Sequence, residues 1–398
     1  MGIFAFWWHM AFLAFASTMI NVNTVIPSYL DKLYHSSFLI GIASSILLGL
    51  PSITQLFFAN FLKTQKYKKP YLMGGILTRS FAIFLLSLVT FYVFSLGVWG
   101  VILILTAITL FATTGSFAGI AYVDLLGKSV PREKRYYFFP IRQAIAGVFS
   151  FMAGFVVKYV LSASKFPHNY GVLFLFASIS VSLAVVFFLF LKESPSEPMP
   201  KTKTLEMIKS IPEFLKDRKL FWYVIVEVLG GFYFMALPFF AVYTIQKFNS
   251  GVVGNLVIFQ VTGMVLSNLL WGYVSKKMGN VSIARIGIMI AIISTISTPF
   301  LPNIYWYYIL FFVVGSTLSA RGIFMDAYLI EIAPERERVM YVGISGTMGF
   351  VGALFPILGG LLARHVGFTF VFVLATAGLV VDFLSALKLE AAKVVSEK

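Results

Sequence analysis

Twelve apolar runs decide what this chain can fold into. They lie at roughly 3–30, 38–62, 70–94, 98–127, 136–161, 170–191, 220–245, 251–275, 281–300, 304–330, 339–363 and 367–387. A helix crossing the hydrocarbon of a bilayer needs about 20 apolar residues. In lipid only helices and closed barrels satisfy every backbone N–H and C=O. Barrel strands would be about 10 residues long and would alternate apolar with polar side chains; these runs do neither. Several exceed 25 residues, which predicts tilt or extension past the bilayer. The expected fold is an all-α membrane protein of 12 transmembrane helices. Composition agrees, since only 12% of residues are charged, against roughly a quarter in soluble domains.

Composition also excludes chemistries. There is no cysteine, and His9, His35, His168 and His365 are scattered without ligand spacing. No metal or cofactor is therefore expected, and no compact set of groups points to an enzyme. A Gly-x4-Gly-Lys-Ser/Thr loop is absent, which disfavours ATP drive. The first run lacks a basic leader and outlasts a signal-peptide core, so it reads as a retained first helix. Phe6 stands where N-myristoylation needs Ser or Thr.

The net charge of +15 is gathered in short loops, which reads as membrane orientation and not as nucleic-acid binding. Lys63, Lys66, Lys68 and Lys69 follow helix 2; Lys128, Arg132, Lys134 and Arg135 follow helix 4; Lys276 and Lys277 follow helix 8. The alternate loops carry only Lys32, Lys165, Lys247 and Arg364. Positive charge favours the cytoplasm, so both termini are expected there, in a cytoplasmic (inner) membrane. Residues 192–219, with four prolines among mixed charges, read as a cytoplasmic linker, with a short amphipathic helix near Leu205–Leu215. The linker separates residues 1–191 from residues 220–398, six helices each.

The two sets are copies. At an offset of 203, Ser116–Arg135 aligns with Ser319–Arg338 without a gap, with identities at Ser116/Ser319, Gly119/Gly322, Ile120/Ile323, Leu126/Leu329, Pro131/Pro334 and Arg135/Arg338. At an offset of 213, Gly41/Gly254, Lys63/Lys276 and Gly74/Gly287 align. The difference places a deficit of ten residues around the third helix of the second set and its following loop. A duplicated bundle of membrane helices is the signature of a secondary transporter.

Two like-oriented six-helix halves with a central linker resemble the major facilitator superfamily over essentially the whole chain. The resemblance implies pseudo-symmetric halves that rock about a central site lined by helices 1, 4, 7 and 10. That family's loop motif, Gly-x-x-x-Asp-Arg-x-Gly-Arg-Lys, is matched in part by Gly272-Tyr-Val-Ser-Lys276-Lys277-Met-Gly279-Asn280. In the first copy the lysines Lys63, Lys66, Lys68 and Lys69 follow Ala59. Lys63 and Lys276 replace the acid that in the family helps latch one state, so that latch is not carried over. Helix 11 holds Gly343, Gly352, Pro356, Gly359 and Gly360, a spacing similar to an antiporter motif of helix 5, read here as close packing with a bend. Helix 5 lacks that motif and helix 4 lacks the antiporters' basic residue, which counts against a drug/proton antiporter.

Charges inside the spans carry the functional reading, because each costs roughly 2.5–3.5 kcal/mol at bilayer centre on insertion scales and so should face a cavity or a partner. Arg321 is the first choice for a substrate or coupling contact; the alternative is an ion pair with Glu227, itself able to couple protons. Arg79 lies deep in helix 3. Ser17, Asn21, Thr24 and Ser28 fall on one helical stripe that faces the cavity or glues helices. Asp124, Arg142, Asp326 and Glu331 sit near basic-loop ends, where local pairs are expected, for example Asp124 with Arg142; Asp382 is expected to face protein or water at the rim and not to carry function. Arg135 and Arg338, in the repeated turns, can hydrogen-bond helix C-terminal carbonyls, a contact that opening would break.

The expected protein is a secondary active transporter working by alternating access. It would be a monomer in the lipid bilayer, with a small-molecule substrate leaning anionic or polar and coupling to protons available. A multidrug exporter of lipophilic compounds and a lipid flippase are the alternatives.

Overall fold

The computed structural model describes residues 2–200, 211–334 and 337–390. Twelve helices in it are long and apolar enough to cross a membrane, and no strand occurs among the described residues. They are α1 (Gly2–Met19), α2 (Ser37–Leu62), α3 (Lys69–Phe91), α4 (Val98–Ser129), α5 (Arg135–Ala163), α6 (His168–Phe188), α7 (Arg218–Phe248), α8 (Val253–Met278), α9 (Asn280–Phe300), α10 (Ile304–Ile332), α11 (Met340–His365) and α12 (Phe368–Ala386).

The first span departs from expectation. It is a helix over Gly2–Met19, a break, and a second piece over Val25–Tyr34. The Asn21 carboxamide oxygen accepts from the Asn23 N–H at 2.9 Å, a local bond that competes with the helical one. Ser17, Asn21, Thr24 and Ser28 therefore do not share one continuous stripe. Among the other spans, α7 is interrupted between Leu229 and Gly231 and α11 between Gly352 and Phe355, with Pro356 in the first turn after the break. The breaks lie together, since a Cβ on Gly231 would stand 2.8 Å from the Gly352 Cα.

The repeat is visible as repeated packing. α2 packs on α4 as α8 packs on α10; α3 packs on α4 and α6 as α9 packs on α10 and α12; α1 packs on α5 as α7 packs on α11. The chain is thus two pseudo-symmetric six-helix bundles. Association in lipid depends on close packing, because lipid tails offer no hydrophobic drive between helices.

The bundles meet along two seams, α2 against α11 and α5 against α8. The repeat pair Gly41/Gly254 sits in them at equivalent places: a Cβ on Gly41 would stand 2.3 Å from the Pro356 oxygen, and one on Gly254 2.4 Å from the Lys158 Cα. Both approaches are backbone against backbone, so only glycine fits. On the same side of the protein, the Gln246 carboxamide donates to Asp31 at 3.0 Å, tying α7 to the piece after α1. Toward the basic loops the second seam ends: Leu269 is 80% exposed and Gly272 has nothing within 4 Å of a Cβ position.

Residues 192–200 dock on the basic loops of the first bundle, where the Ser196 and Met199 N–H groups donate to the Lys66 and Lys63 carbonyls, both at 2.9 Å. Of the amphipathic helix expected near Leu205–Leu215, residues 205–210 lie outside the described residues, and a short helical stretch begins at Ile211.

Candidate functional site

The first bundle encloses a cavity of about 200 Å³ between α1, α3, α4, α5 and α6. Its floor on α4 is made of small residues, Gly115, Ala118 and Gly119, which leave room for long side chains from the neighbours. Arg79 reaches in from α3 and Arg142 from α5. The Arg79 guanidinium lies 4.2 Å above the Phe111 ring and against Gly115, where a Cβ would come within 3.3 Å of Cζ. Its Nε is buried without a hydrogen-bond partner. Arg142 donates to the Tyr122 hydroxyl at 3.1 Å, and its Nε is likewise without a partner. Neither arginine has a carboxylate within 4.0 Å among the described residues. His9, 5% exposed, completes the wall and places Nδ1 3.3 Å from the Ala184 carbonyl, so Nδ1 carries the proton of that bond. Two cations held in a low-dielectric interior without acids make a site of positive potential.

The second bundle has a smaller pocket, about 30 Å³, between α7, α9, α10 and α12. Arg321 and Asp382 line it. Arg321 donates to the Glu227 main-chain oxygen at 2.9 Å and lies 5.0 Å from the Phe234 ring centre. It occupies space that exists because residue 230 is glycine; a Cβ there would stand 1.9 Å from Nη1. The Glu227 carboxylate points elsewhere, accepting from the Ser345 hydroxyl at 3.0 and 2.9 Å, and Ser345 meets the Tyr223 hydroxyl at 2.9 Å. No ion pair between Arg321 and Glu227 forms within 4.0 Å among the described residues. Asp382 is 0% exposed and neither of its oxygens has a hydrogen-bond partner. It lies inside the bundle, not at a rim, because α12 turns this face toward α9 and α7.

The charges at the basic-loop ends pair locally. Asp124 meets Lys128 at 2.6 Å and Lys68 at 3.4 Å, and not Arg142. The reason is helical geometry: Lys128 is one turn away on α4, whereas Arg142 turns into the cavity toward Tyr122. Glu193, not singled out from sequence, accepts from the Lys68 and Lys69 N–H groups at 2.7 and 2.8 Å, placing a carboxylate at the N-terminus of α3. Arg135 donates to the Val130 and Gly127 carbonyls at 3.2 and 3.0 Å, at the C-terminal end of α4. The Arg338 side chain lies outside the described residues, as do residues 335–336 of its turn. Glu331 accepts from Asn280 at 3.0 Å. Asp326, Lys276 and Ser17 are exposed, and the Lys63 carbonyl receives the linker. Thr24 is buried with a hydroxyl that lacks a partner, while Ser28 bonds the Tyr170 hydroxyl at 2.6 Å. Among the described residues no cluster of three or more His, Cys, Asp or Glu could hold a metal.

A scan against protein families matches the Major Facilitator Superfamily over residues 7–319 and 232–396. Among solved structures, the chain is similar to the nucleoside transporter NupG, with a TM-score of 0.75 at 13% identity, covering 98% of this chain and 100% of that one. It is similar to a POT family transporter in complex with 5-aminolevulinic acid, with a TM-score of 0.73 at 11% identity, covering 97% and 95%. It is also similar to a bacterial homolog of the human lysosomal transporter Spinster, in an inward-facing and unoccupied conformation, with a TM-score of 0.67 at 12% identity, covering 98% and 97%. A comparison with curated proteins finds no match. At these identities the likeness is one of fold.

Proposed function

The chain belongs to the major facilitator superfamily, and from that premise we propose that it carries a small anionic solute across the cytoplasmic membrane by alternating access. The halves in this reading are residues 1–191 and 220–398, joined by a cytoplasmic linker at 192–219. The basic loops and both chain ends face the cytoplasm, and the protein works as a monomer. The tight seams at Gly41 and Gly254, opposite the basic loops, and the exposed continuation of the α8 seam at Leu269 fit halves that part toward the cytoplasm.

The observation that carries the substrate class is the pair Arg79 and Arg142, which share one cavity and have no acid within ion-pair distance among the described residues. A carboxylate or similar group entering there takes charge-assisted hydrogen bonds from two guanidinium groups whose Nε atoms are buried and unpartnered. About 200 Å³ suits a small solute; drug-sized ligands occupy about 300–1,000 Å³. Arg321, engaged with Glu227 and sharing its pocket with Asp382, is less available to an anion.

The test is thermal unfolding of the purified protein in detergent with organic anions, sugars, nucleosides and lipophilic cations. A ligand at 100 times its dissociation constant stabilises by about 2.7 kcal/mol. Anions should raise the melting temperature, and Arg79→Ala and Arg142→Ala should each cut the shift to about a third at the same ligand concentration. A response to lipophilic cations alone would replace this reading with a multidrug exporter. Silence across the panel, with lipid scrambling in vesicles, would replace it with a flippase.

A further inference from the structure

Among the described residues, the second bundle's pocket sets two carboxylates, Asp382 and Glu227, against a single arginine, Arg321. Asp382 has no exposed surface, and both carboxylate oxygens lack a donor. A buried carboxylate with no hydrogen bond costs several kcal/mol unless positive charge stands beside it. The groups facing it can be counted element by element. From α10 comes Arg321, whose Nη2 is spent on the Glu227 carbonyl and which reaches no carboxylate within 4.0 Å among the described residues. From α7 come Glu227, held by Ser345, and the Tyr233 hydroxyl, which stands beside Thr317 and Ser294 without an aligned hydrogen bond. From α9 comes Arg285, which donates to the carbonyls of Ala386, Leu387 and Leu389 at the end of α12. The α11 piece against α12, Phe355–His365, has no charged residue before Arg364 in its last turn. Around Asp382, then, one formal positive charge, Arg321, faces two negative ones, Glu227 and Asp382. The deficit is a single positive charge.

We propose that Asp382 holds a small monovalent cation, a proton or a sodium ion, in the pocket between α7, α9, α10 and α12. The space fits: about 30 Å³ exceeds the roughly 10–15 Å³ needed for one water-sized occupant. The charge fits too, since a divalent ion would leave an excess positive charge next to Arg321. The Tyr233 hydroxyl supplies a neutral oxygen for a sodium ion or a hydrogen-bond partner for a protonated carboxyl. The site itself does not depend on what the first bundle binds; that its cation is the coupling ion of transport rests on the transporter reading above.

Two measurements on the purified full chain in detergent, neither needing a transported solute, decide it. Thermal unfolding is compared in sodium chloride and choline chloride at equal ionic strength. Infrared difference spectra are recorded for the C=O stretch of a protonated carboxylic acid at neutral pH. Each is made on the wild type, on Asp382→Asn and on Glu227→Gln. A sodium-specific rise in melting temperature that Asp382→Asn abolishes and Glu227→Gln retains assigns a sodium site. No sodium effect, with a protonated-carboxyl band that disappears in Asp382→Asn alone, assigns a proton site. Neither signal in the wild type, or signals that survive Asp382→Asn, overturns the proposal. If Asp382→Asn does not fold, Tyr233→Phe replaces it. It should raise the sodium concentration needed about tenfold, or shift the carboxyl band; a Tyr233→Phe protein identical to the wild type in both overturns the site. Anion binding by the first bundle without either cation signal would leave the proposed substrate class standing and this site refuted, and the converse pattern would do the reverse.

Discussion

In the first bundle, α3 and α5 bring Arg79 and Arg142 to a cavity of about 200 Å³ without a carboxylate among its lining residues. In the second, α10 and α12 bring Arg321 and Asp382 to a pocket of about 30 Å³, with Glu227 beside them. The same helix pairs pack in both bundles, and the charge difference lies in the side chains those helices carry. At the offset of 203 that aligns α4 with α10, the position of Arg321 is Ala118, which lines the first cavity. A small residue on α4 opens the space that Arg79 enters from α3, whereas a large one on α10 fills its counterpart. The duplicated scaffold thus holds an excess of positive charge in one half and a compensated, slightly negative pocket in the other. Bland helix packing is shared, and electrostatics separates the copies.

The strongest way to break this comparison is to remove one arginine from each half. Arg321→Ala should destabilise the protein by about 3 kcal/mol in thermal or denaturant unfolding, because it strips counter-charge from buried Asp382 and Glu227. Adding Asp382→Asn should recover part of that loss, since the two changes act on one pocket. Arg79→Ala should behave in the opposite way. It removes a buried charge that has no acid, so the melting temperature should hold or rise, while anion affinity falls by about 2 kcal/mol, roughly 30-fold. Equal destabilisation by both changes would mean that the two pockets are not electrostatically distinct. Tyr122→Phe deletes the hydroxyl to which Arg142 donates; it should alter anion affinity by about 1 kcal/mol with little effect on sodium or proton response. The smallest effect is expected from Glu193→Gln. It weakens the carboxylate at the N-terminus of α3 and its contact with Lys128 at 3.3 Å, which should cost about 1 kcal/mol of unfolding stability.

Much of the fold was legible beforehand because the bilayer imposes lengths. Eleven spans end within a few residues of the apolar runs, since a helix in lipid stops where the chain becomes polar. The break in the first span is not legible in hydropathy because Asn21 is polar enough to cap a local turn yet too isolated to interrupt the apolar run. The repeat at offset 213 held physical meaning: Gly41 and Gly254 are both glycine because backbones touch there. Partnerships among charges were less legible. Asp124 was expected to meet Arg142, but a lysine one turn away on its own helix was nearer. Asp382 looked peripheral because it lies near the end of the last apolar run, and only the rotation of α12 about its axis turned it inward.

By itself the amino-acid order determined the number of spans, the clustering of basic loops and the duplication. Each of these follows from local runs, in which neighbours in sequence face the same solvent. Only the tertiary structure decided which charges share a cavity and which are left unpaired. Arg79 and Arg142 are 63 residues apart, and Arg321 and Asp382 are 61 apart. Their meeting depends on how each helix is rotated and on which small residues let the next helix approach, and both are settled by packing among helices remote in sequence.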